Sequence, residues 1–211
     1  MSEKMLITVE ICVDSVQGCV AAAAAGAQRV ELCASLVEGG VTPSHGTIKL
    51  ARRALCGGTK LIVLVRPRGG DFCYSQSELE VMLEDVRACA ALGADGVVSG
   101  CLTAKGDVDE PGTRLLLAEA RRLGLDFTFH RAFDLSRDLS DALEQLAALG
   151  VPRVLTSGGR ATALEGAEAI AGLVRQSEGR VSVLAGGGVR AANVGELLRR
   201  SGVAEGRCQR L

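Results

Sequence analysis

Two short phrases in this chain set an acid and a thiol two residues apart: Glu10-Ile11-Cys12 and Glu31-Leu32-Cys33. Both end runs of strand character, so side-chain alternation puts the Glu and Cys of each phrase on one face. A carboxylate is costly beneath an apolar helix layer, so that face should be the interior of whatever the strands enclose. The thiols then point inward as well, one layer above the carboxylates. Adjacent strands lie about 4.8 Å apart, which brings the sulfurs of Cys12 and Cys33 within a few ångströms. Two soft thiolates at that separation suit Cu(I). Free cysteine is also a common filler of buried layers, and the pattern by itself leaves that second reading open.

Other strand ends carry a different chemistry. Arg66 closes the apolar run Leu61–Val65 and opens Arg66-Pro67-Arg68-Gly69-Gly70-Asp71. His130, one of two histidines, ends Asp126-Phe127-Thr128-Phe129-His130, where Asp126, Thr128 and His130 share a face. Arg66, Arg68, Asp71 and Arg131 are candidates for gripping a small phosphorylated or carboxylated substrate. The glycine-rich turn centred on Gly187 can offer backbone N–H groups to a phosphate. In that enzyme reading His130 acts as acid–base with Glu10 or Glu31 as its carboxylate partner. The rival reading pairs Arg66 and His130 with the two glutamates in an internal ion network that needs no ligand. His45, in a turn-rich loop, reads as exposed and inert. Cys73, Cys89 and Cys101 read as plain thiols, and the lack of any CxxC pair argues against a structural zinc site.

The elements that must position these residues are announced by a recurring junction. A helix-like stretch, a glycine, an apolar residue and a strand follow one another at Gly26, Gly93, Gly124, Gly150 and Gly202, with looser copies at Gly57 and Gly179. Glycine ends a helix because it enters the left-handed conformation without a Cβ penalty. The spacing is that of a βα unit. Strands are expected near Leu6–Val13, Val30–Cys33, Lys60–Arg66, Gly96–Gly100, Phe127–Arg131, Arg153–Ser157 and Arg180–Ala185. Helix starts are expected at Asp14-Ser15, at Ser75–Ser77 and at Ser136–Ser140. The pattern predicts a (β/α)8 barrel. A doubly wound open sheet is the alternative, against which stand the steady spacing and the lack of GxGxxG after the first strand.

Composition agrees with one α/β domain spanning residues 1–211. The chain has 27 glycines, 47% hydrophobic and 2% aromatic residues, as strands buried on both faces require. Lys+Arg number 24 against Asp+Glu 25, which speaks against nucleic acid as a partner. No apolar run reaches the ~18 residues of a membrane span, and Met1–Ile7 does not read as a signal peptide. The eight cysteines of such a chain read as thiols of a reducing compartment rather than as a disulfide framework.

Seven phrases together resemble the CutC copper-homeostasis family. They are Glu10–Ser15, Arg29–Cys33, Glu38–Ser44, Arg66–Phe72, Thr128–Asp134, Arg153–Gly158 and Ala185–Val189. The resemblance implies a TIM-like barrel, a cytoplasmic (or nuclear) protein, a role in copper tolerance or trafficking, and Cu(I) as the partner ion. It places that ion on Cys12 and Cys33, attaches no reaction, and leaves a homo-oligomer open. The family pattern breaks at the end, where Val203-Ala204-Glu205 is followed by Gly206-Arg207-Cys208 and the chain stops at Leu211. The break predicts a barrel incomplete at strand eight and helix eight. The first strand would then be short of a partner and the chain marginally stable.

Overall fold

A computed structural model describes residues 7–55 and 57–209. Eight parallel strands close into a barrel in chain order. They are β1 (Thr8–Val13), β2 (Arg29–Leu32), β3 (Lys60–Leu64), β4 (Gly96–Ser99), β5 (Asp126–Phe129), β6 (Arg153–Thr156), β7 (Ser182–Gly186) and β8 (Glu205–Gln209). Seven helices alternate with them: α1 (Val16–Ala24), α2 (His45–Ala54), α3 (Gln76–Ala91), α4 (Glu110–Arg122), α5 (Leu139–Leu149), α6 (Ala167–Ser177) and α7 (Val194–Ser201). The expected barrel is therefore the observed one. Strand bounds differ from expectation by one or two residues. Leu6, the expected start of the first strand, lies outside the described residues with the rest of the leading segment.

Local chemistry explains the helix starts. Ser15 caps α1, and Ser75 caps α3 in a full capping box with Glu78. Asp138, between the two expected serines, caps α5. The strands sort their residues by face. Leu61 and Val63 of β3, with Phe127 and Phe129 of β5, join the large apolar layer under the helices. Cys12, Cys33, Ile62, Leu64 and Val98 form a separate small cluster inside the barrel. No helix among the described residues is long and apolar enough to cross a membrane.

One expectation is corrected. The last strand is not curtailed: β8 pairs with β1 from Thr8↔Glu205 to Cys12↔Gln209 and with β7 from Leu184↔Glu205 to Gly186↔Arg207. The reason is period-2 chemistry in the tail itself. Glu205 and Arg207 turn into the barrel, where ions of opposite sign await them, while Cys208 packs on the outer core. β1 therefore has ladder partners on both sides. Among the described residues no helix follows β8. An apolar groove of about 600 Å³ runs between α1 and α7, lined among others by Val9, Ile11, Ala22, Val194 and Cys208.

Candidate metal centre and barrel mouth

The lower half of the interior is an ion network. Arg29 Nε donates to Glu10 at 2.9 Å, and its Nη2 donates to Glu205. Arg153 Nε lies 3.2 Å from Glu205, which also accepts from Ser182 at 2.7 Å. Arg207 reaches Glu31 at 2.6 Å and 2.7 Å through two nitrogens and stands 3.9 Å from Glu10. Glu10 and Glu31 face inward as expected. Their partners are Arg29 and Arg207, not Arg66 and His130, so the rival network forms from other residues. Arg29 and Glu31 flank Val30, and Glu205 and Arg207 flank Gly206. Charges two apart in a buried strand are the sequence signal that would have found them.

Above this network sit the thiols. Cys12 Sγ and Cys33 Sγ are 3.5 Å apart, both about 1% exposed. Parallel pairing is staggered: Cys12 stands opposite Glu31, not opposite Cys33. The two Glu-x-Cys phrases are therefore displaced by one layer, and Cys12 Sγ lies 4.0 Å from Glu31 Oε1. Cys12, Glu31 and Cys33 make up the one candidate metal-holding cluster found among the described residues. The Cys33 thiol hydrogen-bonds Cys12 and, against the opposing cost of burial, lowers the Cys12 pKa to about 7, with help from Arg207. Cys33 moves the other way, because it donates to Cys12 and is buried. Burial also pushes the Glu31 carboxyl up, against the pull of Arg207. Burial raises the other buried thiols, Cys19 to about 11 and Cys89 to about 12.

The C-terminal ends of the strands form the mouth, a cavity of about 290 Å³. Glu31 and Arg207 line its floor, and Arg66, Phe72, His130 and Arg131 its wall. Arg66 holds the loops through backbone carbonyls: Nη1 donates to Glu38 O (3.0 Å) and Gly40 O (2.8 Å), and Nη2 to Gly70 O (2.7 Å). Its guanidinium lies 4.6 Å from the Phe72 ring centre. His130 follows β5 as the cap of the 3-10 turn Arg131–Leu135, its Nδ1 accepting from Ala132 N–H at 3.3 Å. Its ring is wedged by Gly100, where a Cβ would lie 2.8 Å from Nδ1. Burial, reinforced by the charge of Arg66, lowers its pKa to about 3, so it is neutral with the proton on Nε2.

The remaining candidates divide. Arg131 reaches the cavity and is tied to Asp134 at 2.8 Å and Ser157 at 2.9 Å. Asp134 is itself saturated by Thr156, Ser157 and Gly159, so it positions Arg131. Gly187 (φ 109°) lies behind that pair, where a Cβ would stand 3.4 Å from Arg131 Cζ. Arg68 and Asp71 are not among the cavity residues. They bond to each other at 3.0 Å, and Arg68 binds Glu78 at 2.5 Å on the outer rim. Glu10 lies beneath the floor, within the ion network. His45 is exposed at the start of α2.

Comparison with known proteins agrees with this architecture. Residues 7–209 match the CutC family. Family protein CutC of Bacteroides thetaiotaomicron is 50% identical over 196 residues, covering 93% of this chain and 78% of the relative. That of Xylella fastidiosa is 53% identical over 196 residues, covering 93% and 72%. A crystal structure of CutC from Streptococcus agalactiae, described as a candidate copper homeostasis protein, superposes with a TM-score of 0.89 at 35% identity. It covers 95% of this chain and 97% of that one. The aldolase QR15, at 15% identity and TM-score 0.73 over 98% of this chain and 92% of that one, shares the fold alone.

Proposed function

The chain belongs to the CutC family, and from that premise we propose that it binds Cu(I) in copper homeostasis through Cys12 and Cys33 inside the barrel. The observation that carries this reading is the pair of buried thiols 3.5 Å apart, one of which ionises near neutral pH. A thiolate, not a thiol, is the metal ligand, so Cys12 is prepared to bind before Cys33. The donor set fits a soft monovalent ion, with two sulfurs as the ligands. Glu31, a harder donor, serves the site as a neighbour. Such thiols persist in a reducing compartment, so we assign the protein to the cytoplasm.

A Cu(I) competition titration under reductant tests this. The wild-type chain holds the ion against a chromophoric Cu(I) chelator, and Cys12→Ser and Cys33→Ser each lose about 100-fold or more in affinity, more than an outer-shell change costs. Unchanged affinity in both single variants overturns the proposal.

A further inference from the structure

The mouth contains two buried donors that the copper site does not use. Arg66 is 4% exposed, and its Nε–H has no hydrogen-bond partner. His130 is 6% exposed, and its Nε2 likewise has none. Both residues line the same cavity and both rest on the Phe72 ring, Arg66 at 4.6 Å and His130 at 4.8 Å between ring centres. An unpaired polar atom in the interior costs free energy that native proteins rarely tolerate without a ligand or water. Two of them on residues that line one cavity define a place for an acceptor.

The charge balance says which kind of acceptor. Arg207 and Arg131, the other cationic residues of the cavity, are matched by Glu31 and Asp134. Arg66 is matched by no carboxylate among the described residues, since its three bonds go to backbone carbonyls. Glu38 also lines the cavity, but it is exposed, and its carboxylate lies against Gly69. A buried guanidinium without a counter-ion is a standing demand for an anion.

We propose that the mouth is an anion-binding site in which Arg66 Nε–H and His130 Nε2–H together hold the oxoanion head, carboxylate or phosphate, of a small metabolite. His130 is a donor here rather than a titrating base, because its Nδ1 is held as an acceptor by Ala132 N–H. Leu36, Leu64 and Leu155 complete the wall and take the apolar part of the ligand. The cavity, at about 290 Å³, admits only a compact molecule. The donors of this site, Arg66 and His130, are not those of the copper reading, and the two meet at Glu31, Arg207 and Leu64.

The test uses inorganic phosphate and acetate as probes. The chain has two histidines, so the ring signals of His130 and His45 separate in a proton–carbon NMR spectrum. At least one probe shifts the His130 signal saturably and leaves that of His45 in place; which one does so distinguishes a phosphate head from a carboxylate head. By calorimetry, His130→Asn, whose amide oxygen still accepts from Ala132, and Arg66→Lys, which keeps the charge, each weaken that probe by about tenfold. Cys33→Ser, which disables the copper site, leaves the anion affinity unchanged. No saturable shift with either probe up to tens of millimolar overturns the proposal. So does an unchanged affinity in His130→Asn, a variant that keeps the structural hydrogen bond.

Discussion

The two halves of the barrel interior differ in how their charges are matched. In the lower half three arginines and three glutamates (Arg29, Arg153, Arg207, Glu10, Glu31 and Glu205) meet in short pairs. In the upper half two thiols press on each other, while Arg66 and His130 keep donors without partners. The difference teaches how to separate structural polarity from functional polarity inside one cavity. Where every ion is matched, the group's task is to keep the fold consistent with its own charges. Where a buried group is left unmatched, the fold has carried a cost that a ligand can repay. Glu31 stands at the boundary, bonded to Arg207 below and 4.0 Å from Cys12 above.

The sharpest way to break this comparison is to remove one ion from the matched half. Arg207→Met leaves Glu31 buried without its cation and is expected to cost about 3–5 kcal/mol in urea denaturation. Arg207→Met combined with Glu31→Leu recovers most of that loss, because the unpaired charge goes with its partner. A single-variant cost within about 0.5 kcal/mol, the range of ordinary surface changes, would falsify the matched-network account.

A smaller effect probes the thiols. Cys12 titrates at about 7 because Cys33 hydrogen-bonds its thiolate. Cys33→Ala removes that donor, and thiolate absorbance followed against pH is expected to show the Cys12 step moving up by about two units, toward the ordinary thiol range. A step that stays near neutrality would assign the lowered pKa to Arg207 instead.

The smallest effect at pH 7 belongs to His130, and it grows as the pH falls. Its folded pKa of about 3 lies below the unfolded value of 6.5, so the unfolded chain takes up the proton first. The stability tied to this group is complete above pH 6.5 and is lost as pH falls from there toward 3. In that window it contributes a slope of about 1.4 kcal/mol per pH unit. His130→Asn costs only about 1 kcal/mol at pH 7 through lost packing on Phe72 and removes that share of the acid slope. Parallel wild-type and variant curves between pH 6 and 4 would show that the ring is solvated or already charged in the fold.

Much of this was legible in the chain. The glycine-ended helices gave the number and order of strands, and alternation put Glu10, Cys12, Glu31 and Cys33 on the inner face. What misled was the tail: Gly206-Arg207-Cys208 departs from the family pattern, yet its alternation suits a strand, and β8 closes the barrel. Arg66 and His130 follow β3 and β5, and the ion network of the rival reading forms from Arg29 and Arg207 in their place. The partners of Arg66 and His130 are backbone groups and an aromatic ring, which leave no trace in residue type.

The sequence by itself determined the strands, their faces and the nearness of the two thiols, because these follow from the period-2 geometry of a strand and the glycine stops of the helices. Tertiary structure decided the rest. The stagger that sets Cys12 beside Glu31 is a property of pairing between strands, not of either strand. The choice of Arg207 as counter-ion of Glu31 joins residues 176 positions apart, which only closure of the barrel brings together. Periodicity acts between neighbours in the chain, whereas register and charge matching are settled among groups that meet only when the sheet closes on itself.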